Sequence, residues 1–297
     1  MEQRLNKTRK NRVFKTLGIL LLCVVLTLYV FLPFGMGAFA VMRGVHEIEQ
    51  PPEGFTAVSL KTQDDTPLAC WYAAGENGAC VILVHGSKSN LSSVRAHADF
   101  LREAGYGVLA LTLRGHGGSG GRGNAFGWKS DQDIAAAVDY LQEKQVERIG
   151  ALGLSLGAEV LLASAADEPA IVAIVADGAS QRSLTDYLSL PANRSLWRSW
   201  STRVMYAAVR LLSGQTPPEQ TIVDSIASAN NTRFLFIAAG NVEKEARFGD
   251  LFAEAAGERA SLWIVPGAGH TQGLFVQMQE YSSRVVGFFD EALLQNG

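Results

Sequence analysis

The sequence predicts an α/β domain, a mostly parallel sheet with helices on both faces. Residues 79–84, 107–113, 149–154, 171–176, 233–238 and 261–265 are short apolar runs, the pattern of strands covered on both sides. Helical spacing fills the gaps between them. In 131–143, for example, Ile134, Ala137, Val138 and Leu141 fall on one face. Finally, His85, Arg114, Ser155, Glu243 and His270 each follow a predicted strand directly. In an open parallel sheet the carboxyl ends of the strands share one edge, and ligands bind there.

The chain has 297 residues, 47% apolar and 19% charged, and part of the apolar excess is local. Residues 16–42 carry no charge and are long enough to cross a bilayer as a helix. Before them stand Arg4, Lys7, Arg9, Lys10, Arg12 and Lys15, against the single acid Glu2. The expectation is a cytoplasmic basic tail (1–15), a transmembrane signal-anchor (16–42) in contact with the lipid bilayer, and the remainder extracytoplasmic. A signal peptide cleaved after Ala38-Phe39-Ala40, releasing a secreted domain, is the alternative. Against it, the apolar run exceeds the roughly 7–15 residues of such a segment, and Pro33 and Gly35 interrupt it. A net charge of -3 offers no broad basic surface, so no nucleic-acid partner is expected. Residues 43–54, with two prolines, read as a linker to a domain spanning 55–297.

That domain opens with a hairpin, 55–61 and 67–72 around a turn at 63–66. The strand at 79–84 leads into His85-Gly86-Ser87, and 92–104 is helical in pattern. The strand at 107–113 leads into a Gly-rich loop beginning Arg114-Gly115-His116-Gly117. The run Gly118-Ser-Gly-Gly-Arg-Gly opens no helix after a strand, so it is not a dinucleotide site. Next, an apolar strand enters Gly153-Leu154-Ser155-Leu156-Gly157 and continues as a helix. Strand, tight turn bearing a Ser, then helix is the setting of a nucleophile elbow. A Cβ at Gly153 or Gly157 would strike neighbouring backbone in so sharp a turn. Residues 181–230 break the rhythm with two or three expected helices carrying Trp197, Trp200 and Tyr206. Their stripe reads either as packing against the body or as a pocket wall over the substrate. The strand at 233–238, a helix at 250–256, the strand at 261–265 and a last helix at 281–294 complete the chain. The three cysteines show no metal-binding spacing, and no cofactor or metal is expected.

Val84-His85-Gly86-Ser87, Leu113-Arg114-Gly115-His116-Gly117, the Gly153–Gly157 pentapeptide and Pro266-Gly-Ala-Gly-His270 occur in an order that resembles the α/β-hydrolase superfamily, in particular its membrane-anchored or exported serine esterase-like members. The resemblance covers about residues 55–297 and implies the α/β-hydrolase fold with a small helical cap at 181–230. It implies serine-hydrolase chemistry on a small acyl ester or thioester, with a peptidase, amidase or acyltransferase, or a non-catalytic binding protein, as alternatives.

A serine hydroxyl needs an adjacent base to become a nucleophile. In the superfamily's nucleophile–acid–base order that base is His270, the sole histidine after residue 116. The acid that orients it should follow the strand at 233–238, where Glu243 and Glu245 both stand. The superfamily's Gly-x-x-Asp pattern maps onto Glu243, although this chain has Glu there, and Glu245 stays open as the alternative. Leu156 N–H should contribute to an oxyanion hole, and by resemblance Ser87 N–H supplies the second donor. His85, Gly86, Arg114 and His116 then shape the loops. In the resembled sheet the strand near Val108 separates Cys70 from Cys80, so the two should stay unpaired.

Overall fold

A computed structural model describes residues 2–44 and 50–295, without the side chains of 2–9. The chain begins with α1 (Glu2–Leu26), which passes through a π-helical turn at Thr27–Phe31 into α2 (Leu32–Val41). The stretch Lys10–Val41 has the length and composition to cross a membrane, and 6% of its most apolar window is buried, so it is no core helix of the domain. The π turn has a local cause. Pro33 has no N–H to donate to the carbonyl one turn earlier, that of Tyr29. The indole Nε1–H of Trp200 donates to that oxygen instead, at 3.0 Å.

Eight strands follow: β1 (Thr56–Lys61), β2 (Pro67–Ala73), β3 (Ala79–Val84), β4 (Gly107–Leu111), β5 (Arg148–Leu154), β6 (Ile171–Asp177), β7 (Arg233–Ala239) and β8 (Ala260–Val265). They form one sheet in the order β1-β2-β4-β3-β5-β6-β7-β8. The β1 and β2 pairings are antiparallel and all others parallel. Every residue of β3, β4 and β7 but Arg233 is buried, which explains why they read as continuous apolar runs. Alternation still sorts the side chains. Cys80, Ile82 and Val84 face one core, and Val81 and Leu83 the other. Helices α4 (Asp131–Glu143), α5 (Leu156–Ser164), α8 (Ile222–Ser228) and α9 (Glu243–Ala256) cover the first core. Helix α3 (Arg95–Glu103) and the last α-helix (Met278–Phe289) cover the second. Strand β4 lies between Cys70 and Cys80, and both thiols are buried and free.

The order reverses at β3. The chain leaves it to build β4 on one side and crosses to β5 on the other, with Val84 paired to Gly153. The loops after β3 and β5 therefore leave the sheet side by side, at the switch point where such folds place ligands.

Residues 181–230 contain α6 (Leu184–Ser189), α7 (Leu196–Ser213) and α8. Helix α7 runs against α2 so closely that a Cβ on Gly37 would overlap the Met205 carbonyl oxygen. The N-terminal end of the expected linker is fastened down. The Arg43 guanidinium donates to the Gly117, Ser119 and Gly121 carbonyls, and Gly44 pairs with Gly115 and Gly117. Residues 45–49 of that linker lie outside the described residues.

Candidate active site

Ser155 stands between β5 and α5 with φ 51° and ψ −115°, a conformation that costs a residue with a Cβ on the order of 1–3 kcal/mol. The surroundings hold it there. Ser155 N–H donates to the Asp177 carbonyl at 2.8 Å, and Glu159 N–H donates to the Ser155 carbonyl at 3.0 Å. The flanking glycines are required by close approach. A Cβ on Gly153 would lie 2.5 Å from Ala158 N, and one on Gly157 would overlap the Val84 carbonyl oxygen. Leu156 is the first residue of α5, so its N–H has no acceptor within the helix.

His270, in the loop after β8, bridges Ser155 to a carboxylate. Its Nε2 is 2.8 Å from Ser155 Oγ, and its Nδ1 is 2.6 Å from Glu245 Oε1. A carboxylate only accepts, so Nδ1 carries the hydrogen and Nε2 is left to accept from the serine hydroxyl. The other oxygen of Glu245 accepts from Ala239 N–H at 2.9 Å, and its side chain is 3% exposed. The hydrogen bond to Glu245 raises the His270 pKa above 6.5, against an opposing effect of burial.

The lean toward Glu243 is corrected by this geometry. The sequence suggests a loop that delays the helix to about residue 250, whereas α9 begins at Glu243. Residues two apart on a helix diverge by about 200°. Glu245 therefore points back to the sheet edge, and Glu243, 79% exposed, points away to pair with Arg247 at 2.6 Å.

A second carboxyl stands behind this chain and was not singled out from the sequence. Asp177, the last residue of β6, is buried and accepts from Tyr281 O–H at 2.9 Å. Burial raises its pKa to about 7, and the negative charge of Glu245 adds to the rise. A Cβ on the next residue, Gly178, would approach His270 Nδ1 to 3.1 Å, so glycine there leaves room for the ring. Glu159 is buried one turn into α5, accepts from Ser180 N–H and Oγ–H at 3.0 and 2.8 Å, and is also raised by burial to about 7. The readable signal for Asp177 was its place, an acid at a strand's carboxyl end.

Gly86, followed by Ser87, lies against Ser155. A Cβ on Gly86 would sit 3.5 Å from Ser155 Cβ. Two histidines hold this loop. His85 Nε2 accepts from Leu113 N–H at 3.2 Å, so its Nδ1–H donates to the Gly86 carbonyl at 2.7 Å. His116 Nε2 accepts from Lys88 N–H at 3.1 Å, and its Nδ1–H donates to the Arg114 carbonyl at 3.2 Å. Arg114 is buried and pairs with Asp133 at 2.7 Å and Asp64 at 2.9 Å. None of the three reaches Ser155 by a described hydrogen bond. Among the described residues no three His, Cys, Asp or Glu side chains gather around a metal position.

The aromatic stripe of residues 181–230 divides, Tyr206 packing against the body as one expectation had it and Trp197 and Trp200 meeting neither. Trp197 and Trp200 are 75% and 41% exposed and border an outer groove with Val25, Tyr29 and Val30 of the N-terminal helix. They wall no pocket over Ser155, because α7 turns that end toward the apolar helix. Tyr206, one to three turns further along, is buried against Phe126 and Trp128.

The sequence profile of the Alpha/beta hydrolase family matches residues 81–284. Solved structures share the architecture. An esterase of Pyrococcus furiosus is 25% identical with a TM-score of 0.67, covering 85% of this chain and 99% of its own. An alpha/beta hydrolase of a Penicillium species is 19% identical with a TM-score of 0.62, covering 80% and 99%. A proline iminopeptidase of Mycobacterium smegmatis is 15% identical with a TM-score of 0.58, covering 80% and 98%. No curated protein matches by sequence.

Proposed function

Because the chain belongs to the alpha/beta hydrolase family, we propose that it is a membrane-anchored serine hydrolase that cleaves a carboxylic ester or thioester through an acyl-enzyme. The observation that carries this reading is His270, bonded at once to Ser155 Oγ and to the buried carboxylate of Glu245. Ser155 Oγ attacks the acyl carbonyl while its proton passes to His270 Nε2. The imidazolium is stabilised and oriented by Glu245, and the Leu156 and Ser87 N–H groups face the oxyanion. His270 then protonates the departing alcohol or thiol. Water, giving its proton to His270, attacks the acyl carbonyl and releases the acid and the free serine. The residues 16–42 serve as an uncleaved signal-anchor, with the basic tail in the cytoplasm and the domain outside.

A fluorophosphonate probe tests the reading, since it labels only an activated serine. Wild-type protein should be labelled at Ser155 and hydrolyse short acyl esters. Ser155→Ala and His270→Ala should each abolish labelling and leave hydrolysis at background, with no further loss in the double variant because the two act as a unit. Labelling that persists in Ser155→Ala would refute the assignment.

A further inference from the structure

An apolar cavity of about 580 Å³ lies between the N-terminal helix and the catalytic domain. That is within the roughly 300–1,000 Å³ of small-molecule sites. Gly35, Met36 and Phe39 of α2 form one wall, and Phe126 and Met205 border it from the domain. Ser87 stands at its edge, one residue from the Gly86 that lies against Ser155. The reacting serine and the cavity therefore share one short loop.

We propose that this cavity is the acyl-chain site, and that the substrate is a single-chain amphiphile ester drawn from the bilayer. The proposal rests on the serine hydrolase reading and names its substrate class. The membrane helix is then part of the binding site as well as an anchor.

Length supports this. The uncharged helix from residue 16 to 41 spans roughly 39 Å at 1.5 Å per residue, against ~30 Å of hydrocarbon. The roughly six surplus residues fall at the α2 end, which meets the domain. The rest of the helix, including Leu17, Leu21 and Leu28, is exposed for lipid contact. A chain leaving the leaflet along this helix reaches the cavity without crossing water. Beside it, Leu196, Trp197 and Trp200 expose apolar surface on the domain itself, the composition of a face resting at headgroup level.

The wall is also held in register with the active-site loop. Lys88, next to Ser87, places its ammonium on the Ala40 and Met42 carbonyls at the end of α2 and over the Phe39 ring. The close contact at Gly37 and the Trp200–Tyr29 hydrogen bond hold the other side.

The test uses the full chain in phosphatidylcholine vesicles, comparing kcat/KM for palmitoyl and acetyl esters of glycerol. A Cβ on Gly35 meets nothing within 4 Å, so the ring of Gly35→Phe has room to enter the cavity it borders. The palmitoyl-to-acetyl ratio should fall at least tenfold in Gly35→Phe. It should stay at the wild-type value in Gly18→Phe, whose site is equally open but remote from the cavity. An unchanged ratio in Gly35→Phe overturns the proposal. A second arm needs no turnover: Ser155→Ala is irradiated with palmitoyl glycerol carrying a diazirine on its chain. Crosslinks should appear on Phe126 and Met205 and disappear when Gly35→Phe is added. Crosslinks confined to residues 13–28 overturn the proposal. Crosslinks on Phe126 and Met205 in a protein that hydrolyses neither ester uphold the acyl site and reject the hydrolase reading instead.

Discussion

At the scale of single residues, the two glutamates of α9 make the sharpest contrast. Glu245 is buried against His270 and Ala239, whereas Glu243 makes an exposed pair with Arg247. Exposed pairs of this kind contribute about 0–1 kcal/mol. Glu243→Gln should leave kcat/KM within about twofold, and Glu245→Gln should lower it by roughly two to four orders of magnitude. The pH profile separates orientation from folding. A base works deprotonated, so kcat/KM should rise with pH through the His270 pKa, which the Glu245 hydrogen bond holds above 6.5. Glu245→Gln removes the facing charge and leaves one neutral oxygen where two carboxylate oxygens accept from His270 and Ala239, so the limb should move to lower pH as the plateau falls. Stopped assays across pH 5–9 (a span of about 4 units around the imidazole range) read both; a limb that stays in place argues against Glu245 as the partner of His270.

At the scale of elements, the site depends on loops that are tied to one another. Arg114 links the loop after β4 to α4 through Asp133, with side chains 5% and 0% exposed. Asp133 also accepts the Arg114 N–H at 2.9 Å. Removing one partner of a buried pair costs about 3–5 kcal/mol because the other charge is left uncompensated. Asp133→Asn should fall at the lower end, since Asp64 still faces Arg114. Asp64→Asn should cost less, because that carboxylate is 37% exposed. Thermal unfolding in detergent orders the two, and an equal loss would show that the Asp133 bond is not the tie that matters.

At the scale of the whole molecule, topology and pH set two expectations. On the proposed topology, protease added to spheroplasts should digest the domain and spare an N-terminal tag. The chain should retain residues 1–42, because removal of α2 would uncover the Gly37 contact on α7 and the Lys88 bonds. A mature start at Val41 would show cleavage instead. For pH, the sign follows from Glu159. Its folded pKa is raised from 4.5 to about 7, so its contribution to stability is fully present below about 4.5 and is lost as pH rises through about 7. Glu159→Gln keeps the acceptor for Ser180 without the charge, and should raise Tm at pH 8 relative to wild type more than at pH 5. His97, buried and lowered to about 4, acts with the opposite sign, its contribution lost as pH falls below the ordinary histidine value of 6.5 toward about 4.

Much of this architecture was legible in the chain. The parallel strands appear as apolar runs because both faces of the sheet are covered. The elbow was readable because Gly153 and Gly157 answer a steric demand made within a few residues. Ser155 and His270, which meet at 2.8 Å, stood out in the sequence because each ends a recognisable strand-and-loop pattern, and the uncharged span behind basic residues marked the apolar helix. The choice of Glu245 over Glu243 was decided by where α9 begins, a one-turn difference that reverses which carboxylate faces the sheet edge. Asp177 joined the site because strand order sets β6 beside β5. Trp200 was drawn away from the pocket to the Tyr29 carbonyl that Pro33 leaves without a donor. Local sequence determines a residue's period and its steric needs. Which side chains meet depends on helix phase and strand neighbours, and those are set by packing between segments far apart in the chain.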